Sequence, residues 1–408
     1  MKAPTPGPGV RRGLVAGVQS VVLLLTAPAC APHSTPGPSP LAARPDWSPL
    51  RQFLDSAVTA GAAPGIVVGV SWPGHRYVYG AGHLGQGLNR RPGHRTVYDL
   101  ASLTKVVGLT TMTMWAVQEG RLDLDAPVSR YVPAFQGGEK DSVTIRLLLA
   151  HASGLPAGRP LYLLAYSRPA VLAVVDSTPL DTLPGSQYRY SDLGAILLTQ
   201  AIETVYGERI DSLLTRRLFQ PLGMRSTTYI VPVAWLPRVA PTEYDSLRGR
   251  LIRGQVHDEN TWRMESVSGH AGIFSSADDL LTFGEWWISQ YRGMPAGEGR
   301  PAVSDSTMRA FALRQELPPG SHRALGWETP TEENTGSSFL SVGSVGHTGF
   351  TGTSIWMDPQ RGVVIVVLGN RINPTRANQR YAGVRRGVGD LVLLALDPAL
   401  QSPASAAR

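Results

Sequence analysis

The chain has 408 residues, of which 42% are hydrophobic and 17% are charged. So much apolar content with so few charges can bury a large core, which excludes an intrinsically disordered chain. The formal net charge is +7, but the arginines are scattered rather than clustered, so we expect no nucleic-acid partner. The length fits one large domain or two closely packed ones.

The N-terminus has the composition of an export signal. Lys2 and two arginines give it a positive start, and an apolar stretch follows at residues 14–25. Because this apolar run is too short to span a membrane, we predict that residues 1–30 are a signal peptide. The segment ends at Cys30, the only cysteine in the chain, so no disulfide can form within one molecule.

Cys30 directly follows small residues, which is typical of a bacterial lipoprotein cleavage site, where this cysteine receives lipid. Cleavage by ordinary signal peptidase after Ala29 is the alternative. Both routes export the protein to the periplasm or cell envelope, and the first tethers it to a membrane. Residues 31–45 are rich in proline, serine and alanine and are predicted to be a flexible linker.

Patterns of apolar residues near both ends of the chain predict strands. The predicted strands are residues 66–70, 77–79, 353–357 and 363–368. Helices are predicted at residues 48–62 and 387–396, and the middle of the chain is helix-rich. We therefore predict an α/β (α+β) fold in which both chain ends build one antiparallel sheet flanked by helices, with a mainly helical insertion and the site at the junction.

The first chemical motif is Ser102-x-x-Lys105, at the start of a predicted helix that ends by Gly120. Residues i and i+3 of a helix face the same way, so the two side chains should touch. A serine hydroxyl needs a neighbour that takes its proton, which a neutral lysine can do and an arginine cannot. Lys105 is one of only three lysines in an arginine-rich chain. The alternative is an N-capping Ser102 beside a solvated Lys105.

The second motif is Tyr190-Ser191-Asp192, just before a helix predicted at residues 194–206. A tyrosine on such a turn can point its hydroxyl into a cleft. A nearby lysine ammonium stabilises its phenolate, so the tyrosine can act as a base or proton shuttle. The alternative is a tyrosine that simply packs at a helix start.

The third motif is His347-Thr348-Gly349, in a glycine-rich stretch that we expect to lead into a strand. Glycines allow a substrate to approach a strand edge closely. Edge amides can supply an oxyanion donor or pair with a peptide, and Thr348 can bond a substrate carboxylate. The alternative is a glycine-rich turn between two strands with a structural His347.

The three motifs occur in one order along one chain. With them, the sequence resembles the serine β-lactamase and penicillin-binding-protein superfamily, specifically its branch of class C β-lactamases, DD-carboxypeptidases and esterases. That family carries Ser-x-x-Lys, then Tyr-x-Asn, then Lys/His-Thr-Gly. The resemblance covers residues 47–398, and the stretches 147–155 and 255–274 also look like this family.

The resemblance implies a domain organisation. A hydrolase domain would span residues 46–400 and be followed by a tail at 401–408. Its α/β part would consist of residues 46–100 and 265–400, and its mainly helical part of residues 101–264.

By resemblance, Ser102 would be the acylated nucleophile, and Lys105 and Tyr190 would share the general acid–base work. The oxyanion hole would combine the backbone N–H of Ser102 with that of a residue just after Gly349. The predicted substrate-binding residues are Asp192, His347, Thr348, Gly349, Phe350 and Thr351.

The chain departs from the family pattern at two positions. Asp192 stands where asparagine is usual, and its charge would hold Lys105 protonated more firmly and repel a substrate carboxylate. His347 replaces the lysine common in β-lactamases, so a fixed positive charge is missing. Both changes disfavour efficient β-lactam turnover and leave peptide or ester hydrolysis open.

His257, Asp258 and His270 match no zinc pattern, so we predict no metal and no other cofactor. A loop of the substrate cleft or local hydrogen bonding explains these residues better. The sequence therefore predicts an exported serine hydrolase, most simply a D-Ala-D-Ala carboxypeptidase or related penicillin-binding-protein-like peptidase of the cell envelope.

An esterase or weak β-lactamase with the same residues is the first alternative to that peptidase. An inactive protein that binds peptidoglycan is the second. The expected partners are a peptidoglycan peptide or a small ester or amide, and we expect a monomer.

Overall fold

The computed structural model describes residues 1, 9, 41–42, 44–331 and 336–401. Cys30 and, apart from residues 1 and 9, the predicted signal peptide lie outside the described residues. The chain divides into a unit at residues 1–37 and a unit at residues 38–408. The second unit carries every helix and strand described below.

A five-stranded antiparallel sheet forms the centre of the second unit, and both ends of the chain contribute to it. Its strands are β1 (Gly65–Trp72), β2 (His75–Gly82), β3 (Val345–Gly349), β4 (Thr353–Asp358) and β5 (Val363–Gly369). Their order across the sheet is β2-β1-β5-β4-β3, so β3 is an edge strand. Two short strand pairs lie outside this sheet, Tyr98–Asp99 with Phe274–Ser275 and Tyr244–Asp245 with Arg250–Leu251.

Helices cover both faces of the sheet. On one face, α1 (Ser48–Thr59) and α12 (Val384–Leu396) share an apolar core with β1 and β5. On the other face, α10 (Ala277–Tyr291) approaches so closely that a Cβ atom on Gly284 would lie 2.5 Å from Val364 Cγ1. A glycine is needed there to let the helix backbone reach the strand.

In the described part of the chain, the other α-helices fall between β2 and β3. They are α2 (Thr111–Gln118), α3 (Ile145–Leu149), α4 (Leu161–Leu164), α5 (Arg168–Ser177), α6 (Asp192–Tyr206), α7 (Ile210–Leu214), α8 (Gln220–Leu222), α9 (Glu259–Arg263) and α11 (Asp305–Ala312). A π-helical segment, Lys105–Thr110, runs directly into α2. None of the described helices has the length and hydropathy that a membrane crossing requires.

The architecture confirms the predicted antiparallel sheet from both chain ends with flanking helices. The predicted strands are present and extend one or more residues further, whereas the first helix ends earlier, at Thr59. The glycine-rich stretch that contains His347-Thr348-Gly349 leads into β4, as predicted. The motif itself forms the end of β3, where His347 pairs with Ile355 and Thr348 with Ser354.

Candidate active site

Ser102 lies on a turn between the short strand Tyr98–Asp99 and the helix that continues into α2. The preceding residue, Ala101, has a φ of 48°, a left-handed conformation that is unusual for a residue with a Cβ atom. The carboxylate of Asp99 stabilises this conformation, since its Oδ1 accepts a hydrogen bond of 2.9 Å from Ala101 N. Strained backbone of this kind is common at functional sites, where surrounding structure holds it in place.

The turn at Ser102 is also held by the segment that connects β3 and β4. Thr351 Oγ1 donates to the carbonyl oxygen of Asp99 at 2.7 Å, and Thr353 Oγ1 donates to that of Leu100 at 2.9 Å. A Cβ atom on Gly349 would lie 2.4 Å from the same Leu100 oxygen. The glycine of the third motif therefore makes room for the chain's own Ser102 turn.

Lys105 is buried, with 4% of its side chain exposed, and lies beside three oxygen atoms. Its Nζ donates to Ser102 Oγ at 3.1 Å and to the carbonyl oxygen of His270 at 3.0 Å. The third neighbour is Asp192 Oδ1, in an ion pair of 2.7 Å. An ammonium has three N–H donors, so these three oxygens match its capacity. The predicted contact between Ser102 and Lys105 is present.

The charges around Lys105 keep it protonated. Burial alone would lower its pKa, but the negative charges of Asp192 and Tyr190 outweigh burial, and the pKa of Lys105 is raised. Burial raises the pKa of Tyr190 as well, and the lysine charge opposes that rise. The charge of Lys105 favours release of the tyrosine proton, whereas a tyrosine phenolate favours retention of the lysine proton, so the two groups titrate as a pair.

Tyr190 lies over Lys105, whose Nζ is 4.9 Å from the centroid of the tyrosine ring. Its hydroxyl is buried and interacts with both Lys105 and Ser102. Next to it, Ser191 caps α6, because its Oγ accepts a hydrogen bond of 3.3 Å from Gly194 N. The cap places Asp192 in the first turn of α6, with its carboxylate towards Lys105.

Two functional candidates beside Tyr190 were not predicted from the sequence. The ring of His151 packs 4.5 Å from that of Tyr190, and its Nδ1 accepts a hydrogen bond from Ser191 N. The guanidinium of Arg323 lies 5.6 Å from the centroid of the Tyr190 ring. His151 belongs to the family-like stretch at residues 147–155, which was a signal, whereas Arg323 is one arginine among many.

His151 and His347 are both neutral in this environment. Burial, and after it the positive charges of Arg323 and Lys105, lowers the pKa of each imidazole well below its usual value. The Nδ1 of His347 donates to the carbonyl oxygen of Thr348 at 2.8 Å. His347 thus carries no fixed positive charge at this position, in line with the sequence analysis. Its Nε2 contributes a neutral hydrogen-bond acceptor.

A cavity of about 510 Å³ opens over Ser102. Predicted residues that line it are Ser102, Tyr190, Asp192, His347, Thr348 and Phe350. Lys105 contacts Ser102 from beneath, whereas Gly349 and Thr351 do not line the cavity and instead hold the Ser102 turn. The geometry thus brings together all three sequence motifs.

The cavity wall beside Phe350 contains His257, Asp258 and His270, whose spacing in the sequence matched no metal pattern. His257 Nε2 lies 2.8 Å from Glu243 Oε1, and Arg376 forms ion pairs with Glu243 and Glu259. Asp258 Oδ1 lies 2.9 Å from His270 Nε2. This last contact positions the His270 segment, whose carbonyl oxygen bonds Lys105.

The β-lactamase family model matches residues 50–388. The chain belongs to the β-lactamase family. Membership of this family, together with its relatives, makes the protein a serine hydrolase.

Relatives of this β-lactamase family member differ in name. A protein of Salmonella paratyphi B with the provisional name D-alanyl-D-alanine carboxypeptidase is 32% identical over 317 residues, covering 70% of this chain and 72% of that protein. The octameric penicillin-binding protein homologue from Pyrococcus abyssi has a TM-score of 0.68 at 21% identity, covering 88% of this chain and 80% of that one. A class C β-lactamase has a TM-score of 0.67 at 20% identity, covering 85% and 97%. The two solved structures share the fold.

Proposed function

We propose that the protein is an exported serine hydrolase that forms an acyl-enzyme on Ser102 and cleaves D-Ala-D-Ala-type peptides of the cell envelope. The observation that carries the proposal is the contact of Ser102 Oγ with Lys105 Nζ at 3.1 Å, beneath Tyr190 and inside one cavity. The provisional name of the Salmonella relative supports the choice of substrate. The hydrolase domain would span residues 46–400, with residues 101–264 as its mainly helical part.

In the proposed reaction, the Lys105–Tyr190 pair first releases one proton to solvent. Ser102 Oγ then attacks the substrate carbonyl carbon while its own proton moves to the pair. The electron pair of the carbonyl moves to oxygen, where the N–H groups of Ser102 and of Phe350 or Thr351 would stabilise it. The pair then returns a proton to the leaving nitrogen as the C–N bond breaks. Water releases the acyl group by the same steps in reverse order.

A covalent probe tests this proposal. The protein is incubated with a fluorophosphonate, and the adduct is mapped by mass spectrometry. We expect one label, on Ser102, and none in Ser102→Ala. A label on another serine, or full activity in Ser102→Ala, would contradict the mechanism.

Ester hydrolysis is a second candidate, because the cavity carries more carboxylates than cations. Its acidic lining residues are Asp192, Asp258, Glu259 and Glu328, against Arg323 and Arg376. An excess of negative charge favours substrates without a free carboxylate. Turnover of a D-Ala-D-Ala peptide, nitrocefin and a short nitrophenyl ester distinguishes peptidase, β-lactamase and esterase. Failure to turn over any of the three would favour an inactive peptidoglycan-binding protein.

We also propose that the protein is exported and tethered through a lipid on Cys30. The motivation is the sequence, in which an apolar stretch at residues 14–25 is followed by Cys30, the only cysteine. Cys30→Ser should move the exported protein from the membrane fraction to a soluble extract. A wild-type protein that is already soluble after export would show ordinary cleavage after Ala29 instead. Light scattering of the released form tests the proposed monomer.

A further inference from the structure

A second cavity, of about 500 Å³, adjoins the one over Ser102. The two cavities share four lining residues, Tyr188, Arg323, Glu328 and Thr348. Its outer wall is the loop that contains Pro319 and Gly320. A substrate bound at Ser102 could therefore extend from one cavity into the other without leaving the protein surface.

Arg323 forms the boundary between the cavities. Its Nε donates to Tyr188 Oη at 3.0 Å, and its Nη2 donates to Glu328 Oε1 at 3.1 Å. Its Nη1 is buried and has no hydrogen-bond partner among the described residues. Leaving a buried donor without a hydrogen bond costs free energy, so this N–H group is suited to bind a ligand oxygen.

The position of Tyr190 indicates which part of a substrate would reach the second cavity. The group that protonates the leaving atom must lie on the leaving side of the scissile bond. The Tyr190 ring lies 5.6 Å from the guanidinium of Arg323, which borders the second cavity, whereas Phe350 and His257 stack on each other and line the first cavity alone. The second cavity thus lies on the leaving side of Ser102.

The chemistry of the second cavity suits a neutral chain. Apart from the Arg323–Glu328 ion pair at its boundary, its walls are formed largely by prolines, glycine, serine and threonine. Thr329 Oγ1 is already bonded to the carbonyl oxygen of His322, at 2.7 Å. Among the described residues that line this cavity, no arginine or lysine is left without an ion-pair partner to bind a terminal carboxylate.

We infer that the second cavity is the subsite for the leaving part of the substrate, and that this part is a neutral chain longer than one residue. Arg323 Nη1 would donate to a carbonyl oxygen of that chain. This inference rests on the proposed function, since the bond that breaks is the C–N bond attacked by Ser102. The leaving nitrogen takes its proton from the Lys105–Tyr190 pair, and the longer amine departs through the second cavity.

The test compares two neutral peptides with the same N-acetylated acyl part, cleaved at the same D-Ala–D-Ala bond. The leaving part is D-alanine amide in one and D-Ala-Gly-Gly amide in the other. For the wild type we expect kcat/KM to be about tenfold higher for the longer peptide. In Pro319→Trp, which fills the second cavity from its exposed lip, this preference should disappear while the short peptide is cleaved as before. Pro295→Trp, at an exposed proline outside both cavities, should preserve the preference.

Labelling of Ser102 by a fluorophosphonate accompanies every measurement. If Pro319→Trp loses labelling because it does not fold, Thr331→Trp, on another wall of the second cavity, replaces it. If neither peptide is cleaved, the longer one should protect Ser102 from labelling at about tenfold lower concentration. Equal cleavage or equal protection by the two peptides in the wild type would overturn the inference, as would an equal loss on both in the tryptophan variant. Absence of labelling on Ser102 of the wild type would instead refute the proposed function.

Discussion

Two helix starts meet in the cavity, and they are held in different ways. The start at Asp192 has a side-chain cap, since Ser191 Oγ accepts from Gly194 N three residues later, and bonds from Ser191 to His151 and Pro156 hold it further. The start at Ser102 has no side-chain cap at the N-terminus of its helical segment. Instead, bonds from Asp99 and Thr353 fix its turn, and Thr353 is distant in sequence.

The charged Asp192 and the proposed nucleophile Ser102 therefore lie on helix starts that are supported in different ways. Asp192, whose task in the proposed mechanism is to place a charge near Lys105, lies on a start with an ordinary helix cap. Ser102, the proposed nucleophile, instead follows a positive φ at Ala101, and such a geometry persists only where surrounding contacts enforce it. Perturbing each start separately tests this view.

The largest expected effect on kcat comes from changing Lys105 and Tyr190, which lie between the two helix starts. Lys105→Arg keeps the charge but cannot release a proton, and Tyr190→Phe removes the shuttle. We expect each to lower kcat by a factor of about 10² to 10⁴, with a smaller change in substrate binding. The double variant should be little worse than either single one, because residues that act as a unit are not additive.

Steady-state kinetics of these variants on the best substrate provide the measurement. Lys140→Arg is the matched control, since Lys140 donates to the carbonyl oxygen of Asp176 away from the cavity, and it should leave kcat unchanged. Near wild-type turnover in Lys105→Arg would show that Lys105 supplies charge alone.

The next effect concerns the support of the Ser102 turn. Asp99 Oδ1 accepts from Ala101 N at 2.9 Å, and its Oδ2 accepts from His257 N at 2.7 Å. Asp99→Ala leaves two buried N–H groups without partners and should lower the free energy of unfolding by about 2–5 kcal/mol, with a loss of kcat. Denaturant unfolding and fluorophosphonate labelling rates measure the two losses. Asp99→Asn, which keeps one acceptor oxygen, should lose less on both, and equal losses in the two variants would refute this account.

A smaller effect is expected from the charge at the second start. Asp192 raises the pKa of Lys105, so Asp192→Asn should lower that pKa. The lysine then gives up its proton at lower pH, and the rising limb of kcat/KM against pH should move down by about one unit or more. Asp211→Asn, at the first turn of α7, is the control that should leave the profile in place. An unchanged profile in Asp192→Asn would mean that the Lys105 charge does not limit the reaction.

The smallest effect is expected at the local cap itself. Ser191→Ala removes the bond to Gly194 N and the bond to the carbonyl oxygen of Pro156, and should lower the free energy of unfolding by about 2 kcal/mol. Ser167→Ala removes the cap of α5 at an exposed site and should cost less, about 1 kcal/mol. Only the first should also reduce kcat, by a few-fold, because it alone loosens the helix that carries Asp192. If Ser191→Ala lost more kcat than Asp99→Ala, the helix start at Asp192 would matter more for activity than the turn at Ser102, contrary to this view.

Much of the fold and part of the site followed from local sequence patterns. Apolar stretches near both chain ends predicted the sheet, since hairpin turns and strand periodicity are local properties. The spacing of Ser102 and Lys105 predicted their contact, because residues three apart on a helix face the same way. The pairing of His347 with Ile355 was not predicted, since the register with β4, which determines where β3 ends, is a tertiary property.

The sequence by itself predicted the candidate nucleophile, its lysine and the unusual carboxylate at Asp192, because each belongs to a short segment with a defined spacing. Tertiary structure alone decided what surrounds them. The carbonyl oxygen that receives Lys105 comes from His270, 165 residues away, and the hydroxyl that holds Asp99 comes from Thr351, 252 residues away. Contacts over such separations depend on how helices pack on a sheet, which no local periodicity encodes. For the same reason Arg323 and the second cavity became visible only in the folded chain.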